Sequence, residues 1–248
     1  MKQSKFFSSA VLALLLGLSS WASAETSLKD DQSIRAAVEH ELANDAIKNG
    51  GGPRVEVENG VVTLTGSVKS VWAKNEAVQR AMEVGDVVAV EDRLEIAFGE
   101  SDEKVAEEIA HKVRTYPFYS IFDDVNLGIQ EGRVVLEGRV TMPFKSDEIE
   151  ERVSKVLGVQ SVENNIKTLS VSIHDERLRA SLARRIYGDP LFVTYAFRAQ
   201  PPIHIVVEGG RVVLTGAVRS KVEKVVAEHI ARATFGVFNV ENRLAIAS

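Results

Sequence analysis

The chain has 248 residues, 45% of them hydrophobic and 26% charged, with a formal net charge of −5 and no cysteine. That balance is globular, and the lack of cysteine excludes disulfide staples, thiolate metal centres and a lipoprotein, whose acyl chains are carried on a Cys. An acidic chain also lacks the basic footprint that nucleic-acid binding requires.

Residues 1–24 read as a secretory signal peptide. Lys2 and Lys5 precede the apolar stretch from Phe6 to Leu18, and Ala22-Ser-Ala24 is a small-residue cleavage site. Broken by Ser8, Ser9, Ser19 and Ser20, the stretch falls short of the roughly 20 apolar residues that span a bilayer. The expectation is export to a periplasm, with the mature chain starting near Glu25 and no transmembrane segment.

Three copies of one pattern follow. Gly60-Val-Val-Thr-Leu-Thr-Gly66, Gly132-Arg-Val-Val-Leu-Glu-Gly138 and Gly210-Arg-Val-Val-Leu-Thr-Gly216 are each followed, 30 residues after the first glycine, by a second phrase that opens at Val90, Val162 and Val240. A fixed repeat of about 70 residues means three copies of a small domain. Each copy opens on an acidic residue three positions before a helical stripe: Asp31 before Ile34, Val38 and Leu42; Asp102 before Val105, Ile109 and Val113; Asp175 before Leu178, Leu182 and Ile186. These carboxylates are expected to cap the helix N-termini.

Alternating strands come next, around Val55 and Val57, Val125 to Ile129, and Ile203 to Val207. They enter the pairs Asn59-Gly60, Glu131-Gly132 and Gly209-Gly210, which suit tight hairpins. The return strands lead to second helices marked by Ala77, Ala81 and Val84, by Ile149, Val153 and Val156, and by Val222, Val226 and Ile230. A last strand reached through a helix should lie parallel to its predecessor. The fold class expected is α+β: three tandem two-layer domains over 28–98, 101–171 and 173–248, each with two helices on one face of a three-stranded mixed sheet. The copies differ most in the first helix-to-strand loop, where Ile34 to Gly60, Val105 to Gly132 and Leu178 to Gly210 span 26, 27 and 32 residues.

This pattern resembles the BON domain, in which a helix precedes a Val-x-Val-x-x-Gly-x-Val-x-Leu-x-Gly-x-Val strand pair and a second helix ends in Gly-Val-x-x-Val-x-Asn. The first copy departs from it at Asp86, where the others have Gly158 and Gly236, and at Asp92, where they have Asn164 and Asn242. The resemblance implies a non-enzymatic envelope protein linked to osmotic protection and phospholipid interaction.

No string for a zinc protease, a nucleophile elbow, a dinucleotide fold or a P-loop occurs, so neither catalytic nor metal-binding residues nor a cofactor are expected. Gly66, Gly138 and Gly216 fit a helix packing close to the strand or a strand bulge, with a ligand approaching bare backbone as the functional alternative. Asp92, Asn164 and Asn242 fit hydrogen bonding to nearby backbone. His40 and His111 share one helix position, where the third copy has Arg184, which fits a solvated face. The aromatics Tyr116, Phe118, Tyr119 and Phe122, and Tyr187, Phe192, Tyr195 and Phe197, suit core packing or a lipid interface.

Charge divides the copies. Residues 30–97 carry 7 basic and 13 acidic side chains, residues 101–172 carry 9 and 13, and residues 173–248 carry 11 and 7. In the third copy Arg177, Arg184 and Arg185 lie on the first helix, while Arg219, Lys221 and Lys224 lead into the second. These six suit peripheral binding of anionic phospholipid, or equally a solvated face or a contact with the acidic copies. A periplasmic chaperone or adaptor that adds client strands to exposed sheet edges is the rival reading.

Overall fold

A computed structural model describes residues 19–43, 47–99 and 101–247. The charged start and apolar stretch of the leader lie outside them; α1 runs from Ser19 to Glu41 through the expected cleavage site. Each repeat builds helix, strand, strand, helix, strand. The first has α1, β1 (Lys48–Glu58), β2 (Val61–Val68), α2 (Val71–Glu83) and β3 (Ala89–Ile96). The second has α3 (Asp102–Arg114), β4 (Asp124–Gln130), β5 (Arg133–Val140), α4 (Pro143–Ser154) and β6 (Ser161–Thr168). The third has α5 (Ile173–Tyr187), a short α6 (Val193–Ala196), β7 (Ile203–Glu208), β8 (Arg211–Val218), α7 (Lys221–Arg232), β9 (Asn239–Asn242) and β10 (Ala245–Ile246). The four residues of α6 fall in the longest of the three helix-to-strand loops.

The sheets are mixed and in the expected order, with the hairpin's return strand central. β4 and β5 pair antiparallel, and β5 and β6 run parallel with Val134 beside Val162 and Leu136 beside Asn164. β7, β8 and β9 repeat this, and β10 resumes pairing with β8 after a break at Arg243 and Leu244. The first-helix stripes all point inward: Ile34, Val38, Leu42, Val105, Ile109, Val113, Leu178, Leu182 and Ile186 are buried. Full burial of such a side chain is worth about 1.5–3 kcal/mol. The second-helix stripe of the third repeat is a correction. Val222 is exposed, Val226 and Ile230 are half-buried, and the inward positions are Glu223, Ala227 and Ala231. Hydropathy favoured the valines, but the small Ala residues face the sheet closely.

The acidic residues at the helix starts are not caps, which is a second correction. α1 continues upstream of Asp31, and α3 and α5 are capped by the Ser101 and Ser172 hydroxyls. Each Asp reaches instead to the hairpin of its own repeat. Asp31 accepts from the Asn59 and Gly60 N–H groups at 2.8 Å each, Asp102 from Glu131 and Gly132 at 2.7 and 3.0 Å, and Asp175 from Gly209 and Gly210 at 2.8 and 2.9 Å. Both residues of each pair have φ between 52° and 76°, as a primed two-residue turn needs, so their N–H groups project together toward one carboxylate.

By packing, the chain divides into two bodies: one is the first repeat through Ser67 with Asn75–Glu95, the other Val68–Lys74 with Ile96 onward. No helix among the described residues is long and apolar enough to cross a membrane.

Candidate functional site

The second and third repeats meet along the outer edge of β7. The Ile205 N–H donates to the Ile121 carbonyl at 2.7 Å, the Thr215 hydroxyl to Asp124 at 2.8 Å, and Arg139 lies 3.6 Å from Glu208. The His204 Nδ1 lies 2.6 Å from the Asp123 carbonyl, so Nδ1 carries the proton, and the ring sits against Tyr119. Phe122 packs into the third core. Beside this joint lies a cleft of about 660 Å³ lined by Arg114, Tyr119, Ser120, Gln200, His204 and Gly216 among others.

Behind the joint, Asp123 is fully buried. Lys145 Nζ reaches it at 2.7 Å, and it accepts from the N–H and hydroxyl groups of Thr141 and of Ser120. Burial raises its pKa, but these partners outweigh that and hold it below the ordinary carboxylate value. Sequence reasoning missed this pair. A lone Lys in a helix and an Asp in a loop carry no periodic signal.

A second cluster forms where α6 meets the start of α7. The Tyr195 hydroxyl donates to buried Glu223 at 2.7 Å, and Glu223 also accepts the Arg219 N–H. The Arg219 guanidinium donates to the Thr194 hydroxyl and to Tyr195, and lies 4.9 Å from the Tyr195 ring centre; Arg198 lies 4.8 Å from it. Around this pair of cations Phe197 is 85% exposed, with Leu191, Val193 and Val222 also exposed. Lys221 begins α7 beside them, exposed and with no carboxylate partner among the described residues. Exposed apolar and basic side chains therefore share the end of BON3 where α6 meets α7.

A family-level comparison matches the BON domain at residues 30–97, 101–170 and 174–248. The chain belongs to the BON domain family. Its repeats are hereafter BON1, BON2 and BON3. Osmotically-inducible protein Y of Escherichia coli (strain K12) is 32% identical over 154 residues, 56% of this chain and 73% of that protein. Two structures of CdsD, a structural protein of the type III secretion system of Chlamydia trachomatis, one of its C-terminal domain, also match. They are 15% and 17% identical, cover 89% and 86% of this chain and 98% and 92% of their own, and have TM-scores of 0.25. At that score neither bears on fold or function.

The six basic residues singled out in BON3 do not form one patch. Arg219 and Lys221 stand at the N-terminal end of α7, while Arg185 donates to the Ala233 carbonyl at the other end, about 18 Å away along a 12-residue helix. Lys224 lies one turn in from Lys221, and Arg177 and Arg184 lie exposed on α5. Arg198 was missed, because only α6 brings it to Tyr195.

The aromatics are mostly interior. Tyr116, Phe192 and Tyr195 are buried, and Tyr187 donates to the Ile203 carbonyl; Phe118 and Phe197 are exposed. The Tyr116 hydroxyl has no hydrogen-bond partner among the described residues; burial, then nearby Glu148, pushes its pKa up to about 12. His40 and His111 are exposed.

Gly60, Gly132 and Gly210 are the second residues of the primed turns. Gly66, Gly138 and Gly216 have φ of +105°, +138° and +97°, and a Cβ there would strike the carbonyl of Gly52, Asp124 or Pro202. The crowding element is neighbouring-strand backbone, not a helix, and around Gly138 the register skips no residue. Asn164 and Asn242 accept from the N–H two residues on and donate to the second helix, at Glu150 and Ser146 or Glu228 and Lys224. Asp92 makes the same local turn with the Leu94 N–H. These residues tie the last strand to its helix or shape its turn.

Proposed function

We propose that this chain is a non-enzymatic periplasmic protein of osmotic or envelope stress that binds anionic phospholipid peripherally through BON3. The observation that carries the reading is the surface at the start of α7, where Arg198 and Arg219 flank the Tyr195 ring, Lys221 is exposed, and Phe197, Val193 and Val222 are exposed as well. Aromatic and aliphatic side chains enter the headgroup region while each nearby cation gains about 1 kcal/mol from an anionic leaflet. The leader-like first 24 residues support export, and the Escherichia coli relative carries osmotic induction in its name.

The test is co-sedimentation with phosphatidylglycerol-containing and pure phosphatidylcholine vesicles at low and high salt. The reading expects anionic-selective, salt-sensitive binding that falls about tenfold or more in Arg198→Glu/Lys221→Glu. Unchanged binding by that variant overturns it. Suppressed aggregation of an unfolded outer-membrane client, without vesicle binding, would put the chaperone or adaptor reading in its place.

A further inference from the structure

We infer that the α7-to-β9 loop of BON3, Phe235–Phe238, is a docking lip for a second copy of this chain, and that its occupant is that copy's strand-to-helix corner, Arg219–Lys221. The template lies within the molecule. The corresponding BON2 loop, Leu157–Gln160, already holds such a corner: the Gly158 N–H donates to the Lys69 carbonyl at 3.1 Å, and the Val71 N–H donates to the Val159 carbonyl at 3.0 Å. Corner and loop belong to one packed body. Gln160 adds bonds to the Ile96 and Ala97 carbonyls, and Lys155 covers the Trp72 ring at 4.6 Å. Gly99 backbone lies where a Gly158 Cβ would be.

BON3 repeats the acceptor loop without a strand-to-helix corner on it; its own His174 ring lies beside Gly236, 3.2 Å from where a Cβ would be. Gly236 holds φ +92°, against +90° at Gly158. Phe235 and Phe238 are 99% and 80% exposed, and among the described residues no backbone hydrogen bond of the BON2–BON3 joint uses this loop. The Gly236 N–H and Val237 carbonyl have no hydrogen-bond partner among the described residues.

BON2's own corner cannot fill the lip in the same way. Pro143 stands where BON1 has Val71, so the donating N–H is missing. BON3 sits on BON2 through the β7 edge instead. BON3's corner retains the donor: among the described residues Lys221 N–H and the Arg219 carbonyl have no hydrogen-bond partner, and Val222, in the place of Trp72, is exposed. A complementary lip and corner therefore stand on one module, near opposite ends of α7.

The inference goes beyond the lipid reading and is tested without lipid, so either can fail alone. Sedimentation equilibrium of the full chain should show the weight-average mass rising with concentration toward twice the single-chain value. Gly236→Asp copies BON1's Asp86, which holds φ +68°, and Lys221→Pro copies BON2's Pro143 at the first helical position; both are residues this fold already carries. Each variant should raise the half-association concentration at least about tenfold. A mass that stays at one chain over the whole range, or association that survives either variant, overturns the proposal.

Discussion

Lys145 of BON2 and Glu223 of BON3 occupy the same place, the third residue of the second helix, facing the sheet, where BON1 has buried Ala73. One buried position therefore carries a cation, an anion or a methyl group. The preceding loop supplies the complement: Asp123 meets Lys145, and the Tyr195 hydroxyl meets Glu223. A buried charge survives only when paired and hydrogen-bonded, so helix position and loop must change together. In BON2 the solution points inward, toward the joint. In BON3 it orients Tyr195 so that Arg198 and Arg219 are displayed beside exposed Phe197.

The largest effect that would break this comparison is Lys145→Ala. It leaves Asp123 buried without its cation and should cost BON2 about 3–5 kcal/mol in urea unfolding followed by hydrogen exchange. A loss below about 1 kcal/mol would mean that the Thr141 and Ser120 donors suffice alone. Next is Gly138→Ala, which places a methyl against the Asp124 carbonyl at a φ that Ala avoids; about 2–4 kcal/mol is expected, localised to BON2. Glu223→Ala should cost BON3 about 1–3 kcal/mol and free Tyr195 from its partner, measurable as increased exchange at the Arg219 amide.

Acid provides a graded version of the same contrast. Burial alone would raise the Asp175 carboxyl, but the Gly210 and Gly209 N–H bonds, with Arg179 nearby, outweigh it and hold its pKa low, as the partners of Asp123 do there. A folded-state pKa below the unfolded value of about 3.9 gives stability that is complete above that pH and lost as pH falls through the folded value. Urea midpoints should therefore fall in this acid range, and Asp175→Asn should flatten the BON3 part of the slope. The smallest effect expected is at an exposed pair such as Arg133 and Glu131, where Arg133→Ala should change stability by no more than about 0.5 kcal/mol.

Periodicity determined the three-fold repeat, the strand order within each copy and the inward faces of the first helices, because 3.6- and 2-residue patterns are local consequences of burying one face. It also located the turns, since only a few residue types tolerate paired positive φ. The roles of polar groups were decided by tertiary structure. Asp31, Asp102 and Asp175 look like caps in one dimension, yet the fold brings each to a hairpin 28 to 35 residues away, where two unpaired N–H groups outcompete a helix end. Likewise Arg198 joins Tyr195 only through α6, and Arg185 of α5 reaches the end of α7 opposite Arg219 and Lys221. A hydrogen bond is satisfied by whatever partner lies within about 3 Å, and sequence spacing does not encode that distance once the chain has turned back on itself.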